Sequence, residues 1–343
     1  DSASTPCVRD DRRRRRVDGD SGGSAMIGIS DVAGYLPAKE VRNADVAGEL
    51  GFKPGFLETK VGVQRRRVAA PDESTSDMCV RAFETLVARR PEARDVGLVL
   101  LCTQNPDYKL PHTSSVLQAR LGLPKAVLAF DISLGCSGYV ATLVTAKALM
   151  HELGLARALV FTCDPYTKVL APDDKSTVPL FSDAATVTLL ERGAPLQIGR
   201  GTFGNDGSQF ETLIIRGSGT ARAPGAAEEP LHMDGRNIYA MLKTEVPGNI
   251  RACVAANGYT LEDIEAFVFH QASAWLLRTL CSDLGLPAER VPSNLETVGN
   301  TVSSSIPLLL ADMFAGGAPL PRVLLLSGFG VGLSWASVVL TRA

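Results

Sequence analysis

A cysteine with small neighbours is the residue best placed for chemistry in this chain. Cys136 stands in the segment 133–139, Ser-Leu-Gly-Cys-Ser-Gly-Tyr, between an apolar run and a helical pattern that begins at Val140. A thiol at the junction of a buried strand and a helix N-terminus meets amide dipoles that favour the thiolate. The small side chains beside it let a substrate approach the sulfur, so the segment predicts a nucleophile.

Two further polar residues follow apolar runs elsewhere in the chain. His270 follows Phe-Val-Phe at 267–269, and Asn300 stands in Val-Gly-Asn-Thr at 298–301. Alone, His270 is equally well a strand-end residue and Asn300 a turn residue. Together with a cysteine far away in sequence, they are the parts of a cysteine-nucleophile site. The other cysteines that follow or lie in apolar segments are interpreted as core residues: Cys102, Cys163, Cys253 and Cys281.

The segment 328–332, Gly-Phe-Gly-Val-Gly, resembles a glycine-rich phosphate-binding loop. A dinucleotide fingerprint requires a helix next, whereas residues 333–340, Leu-Ser-Trp-Ala-Ser-Val-Val-Leu, have the pattern of a strand. We therefore reject a nucleotide site there. The glycines are expected instead to bring backbone N–H groups close to a reacting oxygen.

Composition excludes several classes of protein. The chain has 343 residues, 45% hydrophobic and 21% charged, with a formal net charge of −2. This balance gives no general attraction to nucleic acid or an anionic membrane, and no apolar run is long enough to span a bilayer. Seven scattered cysteines and four histidines without ligand spacing predict no metal site and a reducing, cytoplasmic location.

Residues 1–25 differ from the rest. Their arginine run and the Asp-, Gly- and Ser-rich stretch that follows cannot bury apolar area. We expect a tail without fixed structure, or an artefact of cloning or of the start site, rather than a nucleic-acid-binding arm. The globular pattern begins at Met26.

Apolar runs alternate with amphipathic stretches through the rest of the chain, which predicts a layered α/β protein whose strands are buried on both faces. The predicted strands are Val96–Cys102, Ala126–Ile132, Ala158–Cys163, Ala185–Leu190, Ala266–His270, Val323–Ser327 and Trp335–Leu340. The predicted helices are Met78–Arg89, Thr113–Leu121, Val140–Leu153, Asn237–Asn257, Ala274–Leu284 and Ser304–Phe314.

A weak internal repeat relates the two halves. The strand at 98–102 resembles the strand at 266–270, an offset of 168, and the helix entered at Cys136 has a counterpart near Ser304. We therefore expect two copies of one α/β unit, residues 26–195 with the cysteine and 196–343 with His270 and Asn300. Around a pseudo-twofold axis, the cysteine and asparagine loops would face one cleft.

Several segments carry a family resemblance. They are 60–67 (Lys-Val-Gly-Val-Gln-Arg-Arg-Arg), the Cys136 segment, 181–184 (Phe-Ser-Asp-Ala), 232–235 (His-Met-Asp-Gly), 269–272 (Phe-His-Gln-Ala), 299–301 (Gly-Asn-Thr) and 328–335. In this order they resemble the β-ketoacyl-acyl-carrier-protein synthase III family of the thiolase-fold superfamily. The resemblance implies two pseudo-symmetric α/β halves in a five-layered α-β-α-β-α architecture.

The resemblance also implies roles for the polar residues. Cys136 would take an acyl group from acyl-CoA, with the acyl oxygen held by backbone N–H groups of Cys136, Gly330 and Val331. His270 and Asn300 would hydrogen-bond the thioester carbonyl of a malonyl-type extender and stabilise the enolate formed as CO₂ leaves. The implied partners are acyl-CoA, an acyl carrier protein or malonyl-CoA, and a second copy of the chain in a homodimer, with no cofactor besides these substrates.

Departures from the family pattern concern substrate recognition. Phe56 stands where the family often stacks a Trp on the CoA adenine, and Lys60 and Lys168 stand where arginines hold CoA phosphates. Trp275 replaces an arginine that docks the carrier protein, with Arg278 one turn on, and Leu110 replaces a bulky Phe that closes the primer pocket. The remaining residues that the resemblance assigns to substrate binding are Gly235, Arg236 and Ser273.

These features predict an acyltransferase that forms a carbon–carbon bond by decarboxylative Claisen condensation. The departures favour a specialised member, in secondary metabolism or with a primer other than acetyl. One alternative keeps the acyl-cysteine but passes the acyl group to an alcohol or amine; it would favour a base at position 300. A catalytically silent partner subunit and a cysteine hydrolase are further alternatives, disfavoured by the intact Cys, His and Asn and by the duplication.

Overall fold

The computed structural model describes residues 26–48, 50–52, 55–222 and 224–343, so the predicted tail at 1–25 lies outside the described residues. The strands are β1 (Ile27–Tyr35), β2 (Lys39–Arg42), β3 (Arg65–Val68), β4 (Leu98–Cys102), β5 (Leu128–Ile132), β6 (Arg157–Cys163), β7 (Ala185–Arg192), β8 (Leu196–Asn205), β9 (Leu213–Ile214), β10 (His232–Met233), β11 (Ala266–Phe269), β12 (Val323–Gly330) and β13 (Ser334–Arg342).

The α-helices are α1 (Asn43–Val46), α2 (Thr75–Val87), α3 (Thr113–Arg120), α4 (Gly138–Glu152), α5 (Gly235–Thr244), α6 (Val246–Ala256), α7 (Ala274–Leu284), α8 (Leu295–Val298) and α9 (Ser305–Ala315). A π-helical turn covers Leu57–Val61, and 3₁₀ turns cover Pro91–Arg94, Tyr166–Lys168, Gly207–Thr212, Leu261–Asp263, Ala288–Arg290 and Val302–Ser304.

A single sheet runs through the molecule in the order β11-β12-β13-β8-β1-β7-β6-β4-β5. Its two halves meet at β1 and β8, which pair over only two positions, Gly28 with Gln197 and Ile29 with Leu196. The pairs β2–β3 and β9–β10 form small separate ribbons. The narrow junction lets the halves serve as two β-layers.

Helices α4 and α9 form the middle layer. Helix α4 contacts β4 and β6 of one half and β8, β12 and β13 of the other, and α9 contacts β1, β7 and β11. Helix α4 is apolar on nearly all sides, as expected for a helix covered by two sheets; Val140, Leu143, Ala146 and Met150 are buried along it. Helices α2 and α3 cover the outside of one half, and α6 covers the other with α5 and α7 beside it. The resulting order is the predicted α-β-α-β-α.

The two halves repeat one local topology. Strand β4 is parallel to β6, which pairs antiparallel with β7; β11 is parallel to β12, which pairs antiparallel with β13. Strands β4 and β11 begin at Leu98 and Ala266, 168 residues apart, as the repeat predicted. The assignment of 26–195 and 196–343 as separate domains stays a prediction.

Two predictions about elements were wrong. The helix predicted over 237–257 is two helices, α5 and α6, which meet at Glu245. Pro247 stands in the first turn of α6, where proline is tolerated because its missing N–H needs no partner there. Strand β5 is not buried on both faces. It lies at the edge of the sheet, and its Leu128 is 43% exposed.

No helix among the described residues is long and apolar enough to cross a membrane. The same residues hold no cluster of three or more His, Cys, Asp or Glu side chains arranged to bind a metal ion.

Candidate active site

Cys136 lies in the turn between β5 and α4 and is 5% exposed. Glycines surround it because other groups come too close for a side chain. A Cβ on Gly330 would stand 2.7 Å from the Cys136 sulfur, and one on Gly135 would stand 2.6 Å from Gln104 Oε1. A Cβ on Gly328 would overlap the Cys136 carbonyl oxygen. The β12 backbone is thus pressed directly against the cysteine.

Burial dominates the acid–base state of Cys136. Desolvation, with the nearby Asp164 carboxyl, raises the pKa of the thiol to about 12, although the backbone N–H groups of Val331 and Cys136 act in the opposite direction. The expectation that helix dipoles favour a thiolate was therefore wrong, because burial outweighs them. At neutral pH the group is a buried thiol whose proton must leave as the sulfur attacks.

His270 follows the last residue of β11. Its backbone N–H donates to the Ser327 carbonyl at 2.9 Å, and its Nδ1 lies 2.7 Å from the hydroxyl of Ser305 at the start of α9. The ring meets Phe329 edge-on, with centroids 5.8 Å apart. Burial lowers the pKa of His270 to about 3, so the imidazole is neutral. The Ser305 hydroxyl also lies 3.0 Å from the Val302 carbonyl, so its one hydrogen can be donated either to that oxygen or to Nδ1. When it is donated to Nδ1, the ring hydrogen sits on Nε2 and that nitrogen becomes a donor.

Asn300 is held on both sides of its amide. Its Oδ1 accepts from the Val302 N–H at 2.9 Å, and its Nδ2 donates to the Ala272 carbonyl at 3.3 Å. One Nδ2 hydrogen remains for a ligand. Val302 has φ +52°, a strained conformation for a β-branched residue and one that clusters at functional sites.

One cavity of about 260 Å³ brings the predicted catalytic residues together. Cys136, His270 and Asn300 all line it, with Phe329 and Gly330 beside the sulfur. Its outer part is mainly apolar and includes Val61, Leu180, Phe181, Leu213, Met233, Ile238 and Leu276. A thioester that enters this cavity would meet the neutral thiol of Cys136, the imidazole of His270 and the amide of Asn300. All three residues are buried, so little water reaches them.

The predicted substrate-binding residues fall into three groups. Those that line the cavity are Phe56, Lys60, Gly235, Ser273 and Trp275. Arg236 lines an adjoining groove instead. Lys168 and Leu110 line neither: the Lys168 ammonium donates to the carbonyls of Ala70 and Pro71 at 2.9 and 3.0 Å, and Leu110 is 88% exposed on a loop.

Sequence reasoning missed a buried carboxyl beside the nucleophile. Asp164 follows β6; its Oδ1 accepts from the Gln104 N–H at 2.7 Å, and the Ser303 hydroxyl donates to its Oδ2. Burial raises the pKa of Asp164 to about 7. An aspartate directly after the apolar strand 158–163 was the available signal. Its hydrogen bonds join the loop after β4 to the turn that precedes α9.

Comparisons with known proteins agree with this geometry. Residues 130–207 match the family model for 3-oxoacyl-[acyl-carrier-protein] synthase III, and residues 254–342 match the model for its C-terminal part. The chain is 36% identical over 324 residues to β-ketoacyl-[acyl-carrier-protein] synthase III 2 of Streptomyces coelicolor, covering 92% of this chain and 94% of that protein. The chain belongs to the β-ketoacyl-acyl-carrier-protein synthase III family.

Other synthase III proteins extend the likeness. The Pseudomonas aeruginosa synthase III is 35% identical over 91% of this chain and 95% of its own length. A 3-oxoacyl-(acyl-carrier-protein) synthase III crystal structure superposes with a TM-score of 0.87 at 36% identity, covering 92% of this chain and 99% of that one. The priming β-ketosynthase of the R1128 polyketide pathway superposes with a TM-score of 0.85 at 28% identity, over 93% and 97% of the two chains. The thiolase-like fold predicted from the sequence is confirmed.

Proposed function

We propose that this synthase III family member condenses a Cys136-bound acyl group with a malonyl-type thioester, releasing CO₂ and giving a β-ketoacyl thioester. The observation that carries the proposal is the cavity that Cys136, His270 and Asn300 line together. The family consists of acyl-transferring condensing enzymes. This chain supplies a nucleophile and two neutral hydrogen-bond donors where that chemistry needs them.

In the first half-reaction, the Cys136 sulfur attacks the acyl-CoA carbonyl. The carbon–sulfur bond to CoA breaks, and the thiol proton leaves with CoA as its free thiol. Negative charge on the carbonyl oxygen is met by backbone N–H groups of Cys136 and of the segment Gly330–Val331. Each such donor is typically worth roughly 2.7–4 kcal/mol of transition-state stabilisation.

In the second half-reaction, the malonyl thioester loses CO₂ and its thioester oxygen gains enolate charge. His270 through Nε2–H and Asn300 through its free Nδ2–H are positioned to hydrogen-bond that oxygen. Both groups are neutral, which suits a role as donors rather than bases. The enolate carbon then attacks the acyl carbonyl, the Cys136 sulfur leaves as a thiolate that takes up a proton from solvent, and the product remains on the extender's carrier.

We infer acyl-CoA as the primer donor and malonyl thioester on carrier protein or CoA as the extender, since relatives are named for an acyl carrier protein. A homodimer fits the surface of the chain, and the scattered free cysteines favour the reducing cytoplasm. The edge strand β5 exposes Leu128, and the nearby loop exposes Tyr108 (59%) and Leu110 (88%). A second copy would cover these side chains, and Leu110 in place of a larger ring supports a primer bulkier than acetyl.

The test is a two-step mass measurement. Intact-protein mass spectrometry after incubation with acyl-CoA reports loading, and addition of malonyl thioester, or of an alcohol or amine, reports which acceptor discharges the enzyme. We expect loading in the unmodified protein and discharge by malonyl thioester alone. Cys136→Ala should abolish loading, whereas Cys163→Ala, at a buried thiol of β6, should retain it. Discharge by alcohol or amine without CO₂ release would support the acyltransferase alternative and contradict the proposal.

A further inference from the structure

One short turn contacts both hydrogen-bond donors of the cavity. The backbone N–H of Val302 donates to Asn300 Oδ1 at 2.9 Å, and the Ser305 hydroxyl lies 2.7 Å from His270 Nδ1. The same hydroxyl lies 3.0 Å from the Val302 carbonyl oxygen. We call residues 302–305 the serine turn, because its last three residues are serines. The orientation of both donor side chains therefore depends on the shape of this turn.

The serine turn does not keep its shape by local preference. Val302 has φ +52°, a conformation that β-branched residues rarely adopt. Such strain persists only where the surrounding structure fixes the backbone. The four residues of the turn are at most 1% exposed, so solvent supplies little of that support. The groups that fix the turn must belong to the protein.

Two of the three serines bond to the other half of the sheet. The Ser303 hydroxyl donates to Oδ2 of Asp164, the residue that follows β6. The Ser304 hydroxyl lies 2.8 Å from the hydroxyl of Thr162, on β6 itself. The serine turn therefore joins the half of the fold that carries the nucleophile to the half that carries the two donors.

Asp164 is surrounded by groups that donate hydrogen bonds. It is fully buried, and burial raises the pKa of its carboxyl. The Gln104 N–H, the Ser303 hydroxyl, the Ser303 N–H and the Thr103 hydroxyl all act against that rise. Two of these four donors belong to Ser303. The carboxyl thus interacts with both the side chain and the backbone of one residue in the turn.

The backbone interaction determines how one peptide group is oriented. A trans peptide is planar, so its C=O and N–H point in opposite directions. The N–H of Ser303 favours the Asp164 carboxylate, and the carbonyl of the same peptide, which belongs to Val302, lies 3.0 Å from the Ser305 hydroxyl. That carbonyl also counteracts the lowering of the His270 pKa by burial. Fixing the N–H side of this peptide therefore fixes the carbonyl beside the imidazole.

We propose that Asp164 is a positioning residue for the second half-reaction. By binding Ser303 it fixes the serine turn, and the turn orients His270 and Asn300 toward the thioester oxygen of the extender. The inference rests on the proposed function in taking these two side chains as donors to that oxygen. It gives Asp164 no contact with substrate and no proton transfer, so acylation of Cys136 does not depend on it.

The two half-reactions separate this role from a general structural one. In Asp164→Ala and in Ser303→Ala, condensation of the acyl-loaded enzyme with malonyl thioester should slow about 10²-fold, the usual cost of displacing a catalytic group by about 1 Å. Loading by acyl-CoA should stay within about threefold of the unmodified rate. Burial and then the Asp164 carboxyl raise the pKa of the Cys136 thiol, so removal of the carboxyl does not hinder the thiol. Equal slowing of both steps would overturn the inference.

Three further variants distinguish positioning from a folding defect. Asp164→Asn keeps an oxygen acceptor for Ser303, so condensation should return to within about tenfold of the unmodified rate. The double variant Asp164→Ala/Ser303→Ala should be no slower than Asp164→Ala, because both changes break the same link. Ser76→Ala, at a serine of α2 that is also 1% exposed, should leave both steps unaltered. Additive losses in the double variant, or slow loading in Asp164→Asn, would contradict the proposal; slow loading would indicate that the carboxyl receives the thiol proton.

Imidazole NMR tests the positioning without any reaction. The chain has four histidines, and comparison with His270→Gln identifies the His270 signals in protein labelled at the histidine nitrogens. Burial lowers the pKa of His270 to about 3, so at neutral pH its Nδ1 signal reports hydrogen bonding rather than ionisation. The signal should move in Asp164→Ala and Ser303→Ala and stay in place in Ser76→Ala. If the unmodified protein loads but does not condense, the proposed function fails while this signal still decides the positioning role. An unmoved Nδ1 signal in both variants would overturn it.

Discussion

Gly330→Ala tests the contact between the β12 backbone and the nucleophile. The added methyl carbon would stand 2.7 Å from the Cys136 sulfur and 2.8 Å from its Cβ, whereas unstrained contacts lie at about 3.5–4.0 Å. The Gly330 backbone lies outside the left-handed region, so alanine itself is allowed there. To remove this steric clash, the segment 330–331 and Cys136 must separate by about 1 Å.

That separation moves the Val331 N–H away from the sulfur and misplaces an oxyanion donor. Losing one such donor typically costs about 10²- to 10³-fold in rate, and we expect that loss in the single-turnover rate of Cys136 acylation. The assay follows intact mass after rapid mixing with acyl-CoA, with thermal unfolding measured alongside to detect a folding defect.

Gly248→Ala is the matched control. A Cβ at Gly248 in α6 meets nothing within 4 Å, so the same chemical change should leave acylation unaltered and add about 0.5–1 kcal/mol of stability. A Gly330→Ala protein that folds normally and acylates within threefold of the unmodified rate would refute the close-contact account of this loop.

Two further predictions concern Asp164 and Leu110. The pKa of Asp164 is raised from 3.8 to about 7 in the folded protein. Between these two pH values the folded state binds a proton at Asp164 that the unfolded state has lost. The free energy of unfolding therefore falls as pH rises from about 4 to 7, by on the order of 4 kcal/mol in total. Asp164→Asn should flatten this slope in denaturant unfolding at pH 5 and pH 8; an unchanged slope would show that the carboxyl is not the source. Leu110→Phe should shift loading rates from isobutyryl- and hexanoyl-CoA toward acetyl-CoA while Tm stays the same, and a strong acetyl preference in the unmodified enzyme would contradict the larger-pocket prediction.

The arrangement of the candidate site was largely predictable because strand ends determine it. His270 directly follows the buried strand β11, and Cys136 follows β5 after a short loop. The 168-residue repeat then implied that the Cys136 and Asn300 loops face one cleft, as the shared cavity shows. The positions of polar residues directly after apolar runs are therefore enough to predict which residues meet in the cleft, without knowledge of how the side chains pack.

Strands β1 and β8 were missed because they lack the apolar runs that signal a buried strand. Strand β8 is rich in glycine, and a Cβ on Gly204 would overlap the ring of Trp335 on the neighbouring strand. Glycines lower the strand propensity of a segment. Gly204 is needed because Trp335, which is distant in sequence, packs against its backbone. The low strand propensity of residues 196–205 therefore did not predict the strand that forms there.

Electrostatics and side-chain direction were the least predictable features. The helix N-terminus beside Cys136 predicted a thiolate, yet burial outweighs it and raises the pKa; the depth of a site is not readable from local sequence. The position of Lys168 matched the family pattern, but its ammonium turns to two backbone carbonyls. The stacking of Tyr239 on Trp275 joins two helices and had no sequence signal.

The central claim is that Asn300 acts after loading, on the enolate of the extender. The most direct measurement is a single turnover of acyl-loaded enzyme with malonyl thioester labelled at the free carboxyl carbon, following labelled CO₂ and β-ketoacyl product together. We predict one CO₂ per product in the unmodified protein. In Asn300→Ala, loading should proceed while both CO₂ and product are lost, and the acyl group should remain on Cys136. Condensation by Asn300→Ala at the unmodified rate would contradict the account.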